Sequence, residues 1–305
     1  MSLNKLDHSI SCYTKLVKKS PLVSIIITTK NEEKNLGQCL KSLTHQKYQS
    51  LEIIVVDNNS SDTTKEIART YTSRVYGAGP ERSGQRNLGA KKALGKYLLF
   101  LDADMRVSKN LIGACVEEME RGSDSILRAK SRRLVGLYIK EVVTGNSYWN
   151  KVRNFERSFY DGTVIDGLRF FRRDSFLKIG GYDERLYACE DWDLDKRIKK
   201  LSSTGFITKP LYHDESDFTL RTYLNKKGYY SLNFKTYIDK WGRNDDEVRK
   251  QFSPSYRLLW VFIENGKWKK LLSHLFLALG MFFLRILVGL NYLFTLVKYK
   301  MVYYN

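Results

Sequence analysis

Two aspartates spaced one residue apart, Asp102 and Asp104, are the residues of this sequence best suited to bind a metal ion. They follow Tyr97–Leu101, an uninterrupted run of apolar and aromatic residues. A short apolar run between Gly95 and an aspartate is typical of a strand buried on both faces of an α/β sheet. Ligands bind such sheets at the carboxyl ends of the strands. Residues i and i+2 of an extended segment point the same way, so both carboxylates are expected to face one cation and a bound diphosphate.

Composition indicates an anionic partner. The chain has 305 residues, of which 43% are hydrophobic, and a formal net charge of +19. This length can bury one large core or two modest ones, and the positive charge favours a nucleotide, a nucleic acid or a membrane surface as partner. The four cysteines form no Cys-x-x-Cys pair, which predicts a reducing compartment and argues against a zinc site. Residues 1–20 are polar and basic, so we expect no signal peptide there.

Strands and helices alternate in the first part of the chain. The spacing predicts buried strands at Leu22–Thr29 and Leu51–Val56, besides the one that ends at Asp102. Helices capped by Asn31 and by Asp62 are expected between them. This order predicts an α/β fold with a mainly parallel sheet and helices on both faces. Further expected elements are helices at 82–94, after Ser108 and at 190–201, a strand at 163–171, a flexible loop at 180–181 and an extended segment at 206–213.

Polar clusters follow three of the strands, at residues 28–32, 57–59 and 102–104. Neighbouring parallel strands place such clusters along one edge of a sheet. A nucleoside diphosphate needs a polar group for its base, a cation near its phosphates and a metal to neutralise them, and Asp57, Arg86 and the two aspartates are candidates. The sequence contains neither Gly-x-Gly-x-x-Gly nor Gly-x-x-x-x-Gly-Lys-Ser/Thr. A dinucleotide-binding fold or a P-loop kinase would therefore lack its phosphate-binding loop.

Together these motifs resemble the family 2 glycosyltransferases, which have the GT-A (Rossmann-like) fold. The resemblance covers roughly residues 22–215 and rests on the order and spacing of the motifs. Thr28 departs from it, because many members carry proline there. The matching segments are Val23–Glu32, Val55–Asp62, Arg86–Gly89, Asp102–Asp104, Gly180–Glu184, and Glu190 and Asp191 with Arg197.

The resemblance implies roles for individual residues. Asp102 and Asp104 would bind Mn²⁺ or Mg²⁺, and the donor would be a nucleotide-sugar, with a UDP-sugar favoured by family frequency. A turn residue is the structural alternative for Asp57, and a solvent-exposed helix charge is the alternative for Arg86. The residues that would contact the nucleotide-sugar are Thr28, Glu32, Asp57, Arg86 and Asp102.

A catalytic base and a third metal ligand are implied in the same way. Asp191 would take the proton of the acceptor hydroxyl, and the product would have an inverted configuration at the anomeric carbon. The helix dipole also favours acidic residues in a first helical turn, so a structural role for Asp191 stays open. His213 stands where many members have a metal-binding histidine, although a structural histidine is equally expected. Asp214 and Glu215 are alternatives to it.

Residues 220–305 differ from the rest of the chain, with 15 Lys/Arg, 5 Asp/Glu and 19 of the 40 aromatic residues. The apolar segment Leu271–Val297 is about 40 Å long as a helix and could span a bilayer. Arg285 near its centre would cost about 2.5–3.5 kcal/mol on insertion. We therefore expect two shorter helices that meet near Arg285 and lie in the membrane interface. A spanning helix and a soluble helix, packed on the domain or in a dimer, are the alternatives.

The sequence predicts a catalytic domain at 1–219, with a nucleotide-sugar-binding part at about 22–122 and an acceptor part at about 123–219, and a membrane-associated helical region at 220–305. The predicted function is that of an inverting, metal-dependent glycosyltransferase on the cytoplasmic side of the cell membrane. Its acceptor would be a lipid-linked (polyprenyl-linked) or cell-surface glycan, and no nucleic-acid partner is expected. A sugar-nucleotide nucleotidyltransferase is the same-fold alternative, and a non-catalytic membrane- or polyanion-binding protein is the other.

Overall fold

An eight-stranded sheet forms the centre of the computed structural model, which describes residues 20–121 and 133–303, with side chains to residue 298. Predictions for residues 1–19, including Cys12, and for residues 122–132 lie outside the described residues. The strands are β1 (Val23–Thr29), β2 (Leu51–Asp57), β3 (Val75–Gly77), β4 (Tyr97–Asp102), β5 (Met105–Val107), β6 (Gly136–Thr144), β7 (Leu168–Arg172) and β8 (Thr204–Asp214).

Parallel pairs outnumber antiparallel pairs in this sheet, as predicted. The strand order is β3-β2-β1-β4-β7-β6-β8-β5. Strands β3, β2, β1 and β4 run parallel to one another, and β6 runs parallel to β8. Strand β7 is antiparallel to both of its neighbours, and β5 is antiparallel to β8. The pairing of β5 with β8 sets Met105 opposite His213, which brings His213 beside the end of β4.

Helices cover both faces of the sheet, as predicted. Ile25 and Ile27 of β1 belong to a core formed with α1, α2 and α4, whereas Ile26 belongs to a second core formed with α3, α6 and α7. The helices are α1 (Leu36–Thr44), α2 (Thr64–Tyr71), α3 (Arg82–Lys92), α4 (Leu111–Arg121), α5 (Tyr148–Arg157), α6 (Arg173–Lys178), α7 (Glu190–Lys199), α8 (Leu220–Ser231), α9 (Phe234–Trp241), α10 (Asp246–Phe252), α11 (Val261–Ile263), α12 (Trp268–Ser273) and α13 (Leu275–Tyr303), with a π-helical turn at Tyr256–Trp260 before α11.

Two local predictions were wrong. Asn31 does not cap the first helix, which begins only at Leu36. Its backbone is left-handed, with φ 54°, and its Oδ1 accepts a hydrogen bond from the Ser61 amide at 2.9 Å, which ties the loops after β1 and β2 together. The strand expected from Thr163 begins at Leu168, because residues 163–167 form a turn. Asn31 joins two loops, and the turn accepts hydrogen bonds from Arg157 of α5 and Gln251 of α10, and a local pattern encodes neither contact.

The C-terminal apolar segment is one long helix rather than two helices that meet at Arg285. Helix α13 runs without interruption through Arg285, and the break in the segment falls at His274. Arg285 is 7% exposed and points into the protein, where it donates to Glu156 Oε1 at 3.3 Å. The Arg285 charge, which was expected to be unpaired in the apolar segment, therefore forms a buried ion pair with Glu156 of α5.

Helix α13 lies along the rest of the protein for most of its length. Near its start, the carbonyl of Phe276 accepts a hydrogen bond from the Tyr148 hydroxyl of α5 at 2.7 Å. Near its end, the side-chain amide of Asn291 donates to the carbonyl of Leu224 in α8 at 2.9 Å. Because one side of the helix is covered over this whole distance, only its other side can meet solvent or lipid.

The exposed side of α13 is an apolar stripe. Within the described residues, Leu275–Lys298 is the helical segment long and apolar enough to cross a membrane, judged by length and composition alone. Its exposed apolar residues recur every three or four positions, so they lie on one face. This stripe consists of Phe276, Leu279, Phe283, Ile286, Leu290, Leu293, Phe294 and Val297.

Candidate active site

The carboxyl end of β4 and the start of α7 are joined by one buried arginine. Arg86 of α3 is 2% exposed, and its guanidinium donates to Asp102 Oδ1 at 3.1 Å and to Asp191 Oδ1 at 3.2 Å. A longer contact of 3.4 Å reaches Glu190 Oε1, and the guanidinium lies over the Tyr182 ring. The solvent-exposed alternative for Arg86 is therefore wrong. The arginine brings two of the predicted site residues together.

Asp102 is held as a carboxylate by its surroundings. Its Oδ1 accepts hydrogen bonds from Arg86 and, at 3.2 Å, from the Thr28 hydroxyl. Its Oδ2 lies 3.9 Å from Arg82 and 4.0 Å from Arg169, beyond hydrogen-bonding distance. Burial alone would raise the pKa of Asp102, but the guanidinium groups, with that of Arg86 foremost, outweigh burial and hold it well below its usual range. Oδ2 therefore remains a charged acceptor that can take another ligand.

Asp104 lies in the turn between β4 and β5, because β4 ends at Asp102. The argument that both carboxylates share one side of an extended strand was therefore wrong. Asp104 Oδ2 instead accepts a hydrogen bond from His213 Nε2 at 3.1 Å. Its Oδ1 is buried and has no hydrogen-bond partner among the residues that the structure describes. A buried carboxylate oxygen without a hydrogen-bond partner is energetically costly. Such an oxygen is suited to bind a cation.

His213 bridges two carboxylates. Its Nδ1 donates to Glu141 Oε1 at 3.0 Å, while Nε2 donates to Asp104. Burial alone would lower the pKa of His213, but these two hydrogen bonds outweigh it and raise the pKa to about 10. A carboxylate on one ring nitrogen is the arrangement that orients metal-binding histidines through the other nitrogen. Glu141 therefore aims Nε2 of His213 at the Asp104 carboxylate.

The predicted metal ligands do not form a ready metal site. No group of three or more His, Cys, Asp or Glu side chains arranged to hold a metal occurs in the described part of the chain. The free oxygens Asp102 Oδ2 and Asp104 Oδ1 nevertheless fit a hard divalent cation. Burial, followed by the charges of Asp104 and Asp102, raises the pKa of Glu32, which indicates a shared negative potential at this edge of the sheet. Metal binding by these residues stays a prediction.

Two of the three residues predicted to line the base and ribose, Asp57 and Glu32, have hydrogen-bond partners within the protein. The Asp57 carboxylate accepts hydrogen bonds from the amide and the hydroxyl of Ser60, as expected of the turn residue that was its alternative. Glu32 accepts a hydrogen bond from the Asn35 side-chain amide at 2.8 Å. Nucleotide contacts of Thr28, Glu32 and Asp57 stay predictions.

Asp191 is the accessible carboxylate at the start of α7. Its side chain is 35% exposed, against 6% for the neighbouring Glu190. A Cβ on Gly167 would lie 3.2 Å from Asp191 Cβ, so the turn at 163–167 needs glycine there to let α7 approach. Burial and the Asp191 charge raise the pKa of Glu190 to about 7. The carboxyl whose pKa is raised is thus buried, and its more accessible neighbour Asp191 is the predicted base.

The turn at Gly180 and Gly181 is anchored, whereas the sequence predicted a flexible loop. Both glycines have positive φ, and a Cβ on Gly181 would meet Asn87 Oδ1 at 2.4 Å. The same Oδ1 accepts a hydrogen bond from the Tyr182 amide at 2.8 Å, and Asn87 Nδ2 donates to the Tyr182 carbonyl at 2.9 Å. Because Asn87 follows Arg86 in α3, this turn helps to fix the Tyr182 ring beneath the guanidinium.

Sequence reasoning missed Arg82, Arg169 and Glu141. Arg82 precedes Arg86 by one helical turn and lies on the same face of α3, a spacing that could have revealed it. Arg169 donates to Glu141 Oε2 at 3.2 Å, and it lies in a segment that was predicted as a strand without a role. Glu141 lies in β6, which was not predicted, and only the pairing of β6 with β8 brings it to His213.

Comparisons with known proteins agree with this architecture. The family described as Glycosyl transferase family 2 matches residues 24–180. The GalNAc(5)-diNAcBac-PP-undecaprenol beta-1,3-glucosyltransferase of Campylobacter jejuni is 30% identical over 257 residues, which are 81% of this chain and 74% of that protein. The uncharacterized glycosyltransferase EpsJ of Bacillus subtilis is 35% identical over 113 residues, which are 35% of this chain and only 33% of EpsJ.

Solved structures share the fold. The mannosyltransferase PcManGT from Pyrobaculum calidifontis, in complex with GDP-Man and Mn²⁺, aligns with a TM-score of 0.57 at 18% identity and covers 90% of this chain and 88% of that chain. Residues 1–349 of S. aureus TarS, in complex with UDP, align with a TM-score of 0.52 at 16% identity and cover 92% and 91%. The fold is the predicted GT-A fold. The chain belongs to glycosyl transferase family 2, and it is a glycosyltransferase.

The raised pKa of Glu190 predicts a pH-dependent stability. The pKa is about 7 in the folded protein against a usual 4.5, so between these values the folded state holds more protons than the unfolded chain. The contribution of Glu190 to the free energy of unfolding is therefore present below about pH 4.5 and lost as pH rises through 7. Relative to wild type, Glu190→Gln should be more stable at pH 8 than at pH 5 in urea unfolding. The exposed Glu66→Gln should show no such difference, and an equal pH dependence of wild type and Glu190→Gln would contradict the raised pKa.

Proposed function

We propose that this glycosyltransferase moves a sugar from a nucleotide-sugar, with a UDP-sugar favoured, to a lipid-linked or cell-surface glycan, with inversion and with help from Mn²⁺ or Mg²⁺. The observation that carries the proposal is the contact of Arg86 with both Asp102 and Asp191. Through it, the carboxylate proposed for the donor and the carboxylate proposed as base are held at one edge of the sheet. A screen of nucleotide-sugars for metal-dependent turnover tests the donor class.

Asp191 is suited to act as the general base. Arg86 occupies its Oδ1, and no residue of the described chain donates a hydrogen bond to its Oδ2. Oδ2 can therefore take the proton of the acceptor hydroxyl. The acceptor oxygen then bonds to the anomeric carbon as the bond from that carbon to the diphosphate breaks, and the electron pair leaves with the nucleoside diphosphate. A single displacement of this kind inverts the anomeric configuration.

The donor contacts are proposed on the residues at the ends of β1, β2 and β4. Thr28, Glu32 and Asp57 would line the base and ribose, with Arg86 close to the nucleotide. Asp102, Asp104 and His213 would hold the divalent ion. When bound, the ion would neutralise the leaving diphosphate. His213 must lose its proton to serve as a ligand, whereas Asp104 offers a free oxygen at once.

Support for a lipid-linked acceptor comes from the relative and from the tail. The Campylobacter jejuni enzyme is named for an acceptor glycan that is linked to PP-undecaprenol. In this chain, the apolar stripe of α13 is exposed, as are Trp260, Trp268 and Leu272, and Lys269 lies close to the Trp268 ring. Cations beside amphipathic aromatics suit an anionic bilayer surface.

We propose that residues 220–305 attach the catalytic domain of residues 1–219 to the cytoplasmic side of the membrane, with α13 lying in the interface. One side of α13 is covered by α5 and α8, so a spanning orientation would carry both helices into the bilayer. Helix α8 is polar for most of its length and holds Arg221, Lys226 and Lys227. An interfacial helix avoids that cost.

Asp104→Asn tests the metal proposal. The amide keeps the shape of the side chain and can still accept a hydrogen bond from His213, but it removes the charge that would attract the ion. We expect the Mn²⁺ concentration for half-maximal turnover to rise by at least about tenfold, with the thermal midpoint nearly unchanged. Asp174→Asn, an exposed aspartate on α6, is the matched control. An unaltered Mn²⁺ requirement would remove Asp104 from the metal site.

Asp191→Asn tests the base. Because Asn cannot take the proton, transfer should fall by at least about 10²-fold, while the dissociation constant of the nucleotide-sugar changes little. Asp239→Asn, an exposed aspartate on α9, should retain activity. An equal loss of donor affinity would make Asp191 a binding residue, and retained anomeric configuration in the product would rule out the single displacement.

Polar substitutions in the apolar stripe test the membrane proposal. Leu279→Gln with Phe294→Gln removes two exposed apolar side chains, and flotation with anionic liposomes should weaken by at least about tenfold. Leu94→Gln, at an exposed leucine after α3, should float as wild type does. Added salt should weaken flotation through the lysines. A wild-type protein that ignores anionic liposomes would make the stripe an interface with another protein.

A further inference from the structure

A cavity of about 740 Å³ connects the start of α7 with α13. Glu190 and Asp191 belong to its lining, so the cavity includes the proposed base. Most of the remaining wall is apolar and comes from α9, α10, α13 and the π-helical turn at Tyr256–Trp260. The side chains that make this apolar wall include Phe234, Ile238, Phe252, Leu258, Ile286 and Leu290.

Four cations line the same cavity, namely Arg82, Lys227, Arg257 and Arg285. Arg82 is paired with Glu190, and Arg285 is paired with Glu156. Lys227 and Arg257 have no carboxylate within ion-pair distance anywhere in residues 20–121 and 133–298. Burial, together with the positive charge of neighbouring arginines, lowers the pKa of Lys227 to about 7. Cations that repel one another in an apolar cavity are stabilised by an anion placed between them.

The cavity opens along the apolar stripe. Ile286, Leu290 and Leu293 line the cavity, and each is more than half exposed. They belong to the same face of α13 that is proposed to meet the membrane. An apolar chain could therefore pass from the cavity into the lipid without crossing water.

We propose that this cavity binds the acceptor as an anionic lipid, a phosphate or diphosphate on a single long apolar chain, with the phosphate against Lys227 and Arg257. The chain would leave along Ile286, Leu290 and Leu293. This proposal rests on the proposed function, since it assigns the substrate of that same site. Because Asp191 lines the cavity that also holds the cations, the accepting hydroxyl and the phosphate lie within one cavity. The acceptor therefore carries at most a short glycan between its phosphate and the hydroxyl that receives the sugar.

Binding of farnesyl diphosphate to the full chain tests the proposal without any transfer reaction. We expect isothermal titration calorimetry to show tighter binding of farnesyl diphosphate than of farnesol, which lacks the anion, and than of inorganic diphosphate, which lacks the chain. Short-chain phosphatidic acid should bind more weakly, since it has two chains. UDP with Mn²⁺ should not displace farnesyl diphosphate, because the donor site lies at the ends of β1, β2 and β4.

Removing the two unpaired cations identifies the phosphate site. The double variant Lys227→Gln with Arg257→Gln should bind farnesyl diphosphate at least about tenfold more weakly, while farnesol and UDP bind as in wild type. The matched control Lys235→Gln with Arg249→Gln removes the same two charges from exposed positions on α9 and α10 and should bind like wild type. Unchanged UDP binding by the double variant also shows that it has folded.

Several outcomes would overturn the proposal. Equal affinity for farnesol and farnesyl diphosphate would mean that the cations do not bind phosphate. Equal affinity for phosphatidic acid would make the cavity a site for bulk membrane lipid, and displacement by UDP would assign the cations to the donor. Absent farnesyl diphosphate binding in an enzyme that turns over a nucleotide-sugar would reject this inference and leave the proposed function standing. Tight binding without transfer from any nucleotide-sugar would do the reverse.

Discussion

The pairing of the buried Arg86 guanidinium is the constraint on which the rest of the site depends. A charge removed from water is tolerated only when it is paired and hydrogen-bonded. Arg86 meets this need with carboxylates from two places, Asp102 at the end of β4 and Asp191 at the start of α7, which are separated from it by 16 and 105 residues. Any arrangement that moved α7 away from β4 would leave a buried charge unpaired. The stability of the fold therefore fixes the distance between Asp102, at the proposed donor site, and Asp191, the proposed base.

A second buried ion pair positions helix α13 in the same way. The Glu156 carboxylate of α5 is paired with Arg153 at 2.7 Å and with Arg285 at 3.3 Å. The Arg285 contact fixes both the position and the rotation of α13, because the helix can turn only by breaking a buried pair. Once its inward face is fixed, the apolar stripe must point outward. Arg285, which the sequence placed as an obstacle within the apolar segment, is thus the residue that orients the exposed apolar side of the helix.

The two charge networks differ in how well they are balanced. Around Arg86, each guanidinium has carboxylate partners, namely Asp102, Glu190 and Asp191. Asp191 belongs both to this network and to the lining of the cavity. Beside α13, the balance fails, since Lys227 and Arg257 have no carboxylate partner among the described residues. Folding supplies partners for buried charges wherever it can, so an unbalanced pair of cations in a cavity points to a ligand that supplies the missing charge. The proposed donor site and the proposed acceptor cavity are thus adjacent at the start of α7, where Asp191 contacts Arg86 and lines the cavity.

Local sequence patterns predicted strands β1, β2 and β4 and the helices between them, and the resemblance of the motifs in that order predicted the family and the GT-A fold. Strand β4 and the edge where Thr28, Asp102 and Arg86 meet were predicted for this reason, since apolar periodicity and turn residues act over a few positions. Only the tertiary structure decided that Glu141 would face His213, 72 residues away, and that Arg285 would pair with Glu156, 129 residues away. Such partners are chosen by the need to pair charges that folding has buried. That need arises only after elements distant in sequence have packed together, so it leaves no periodic signal along the chain.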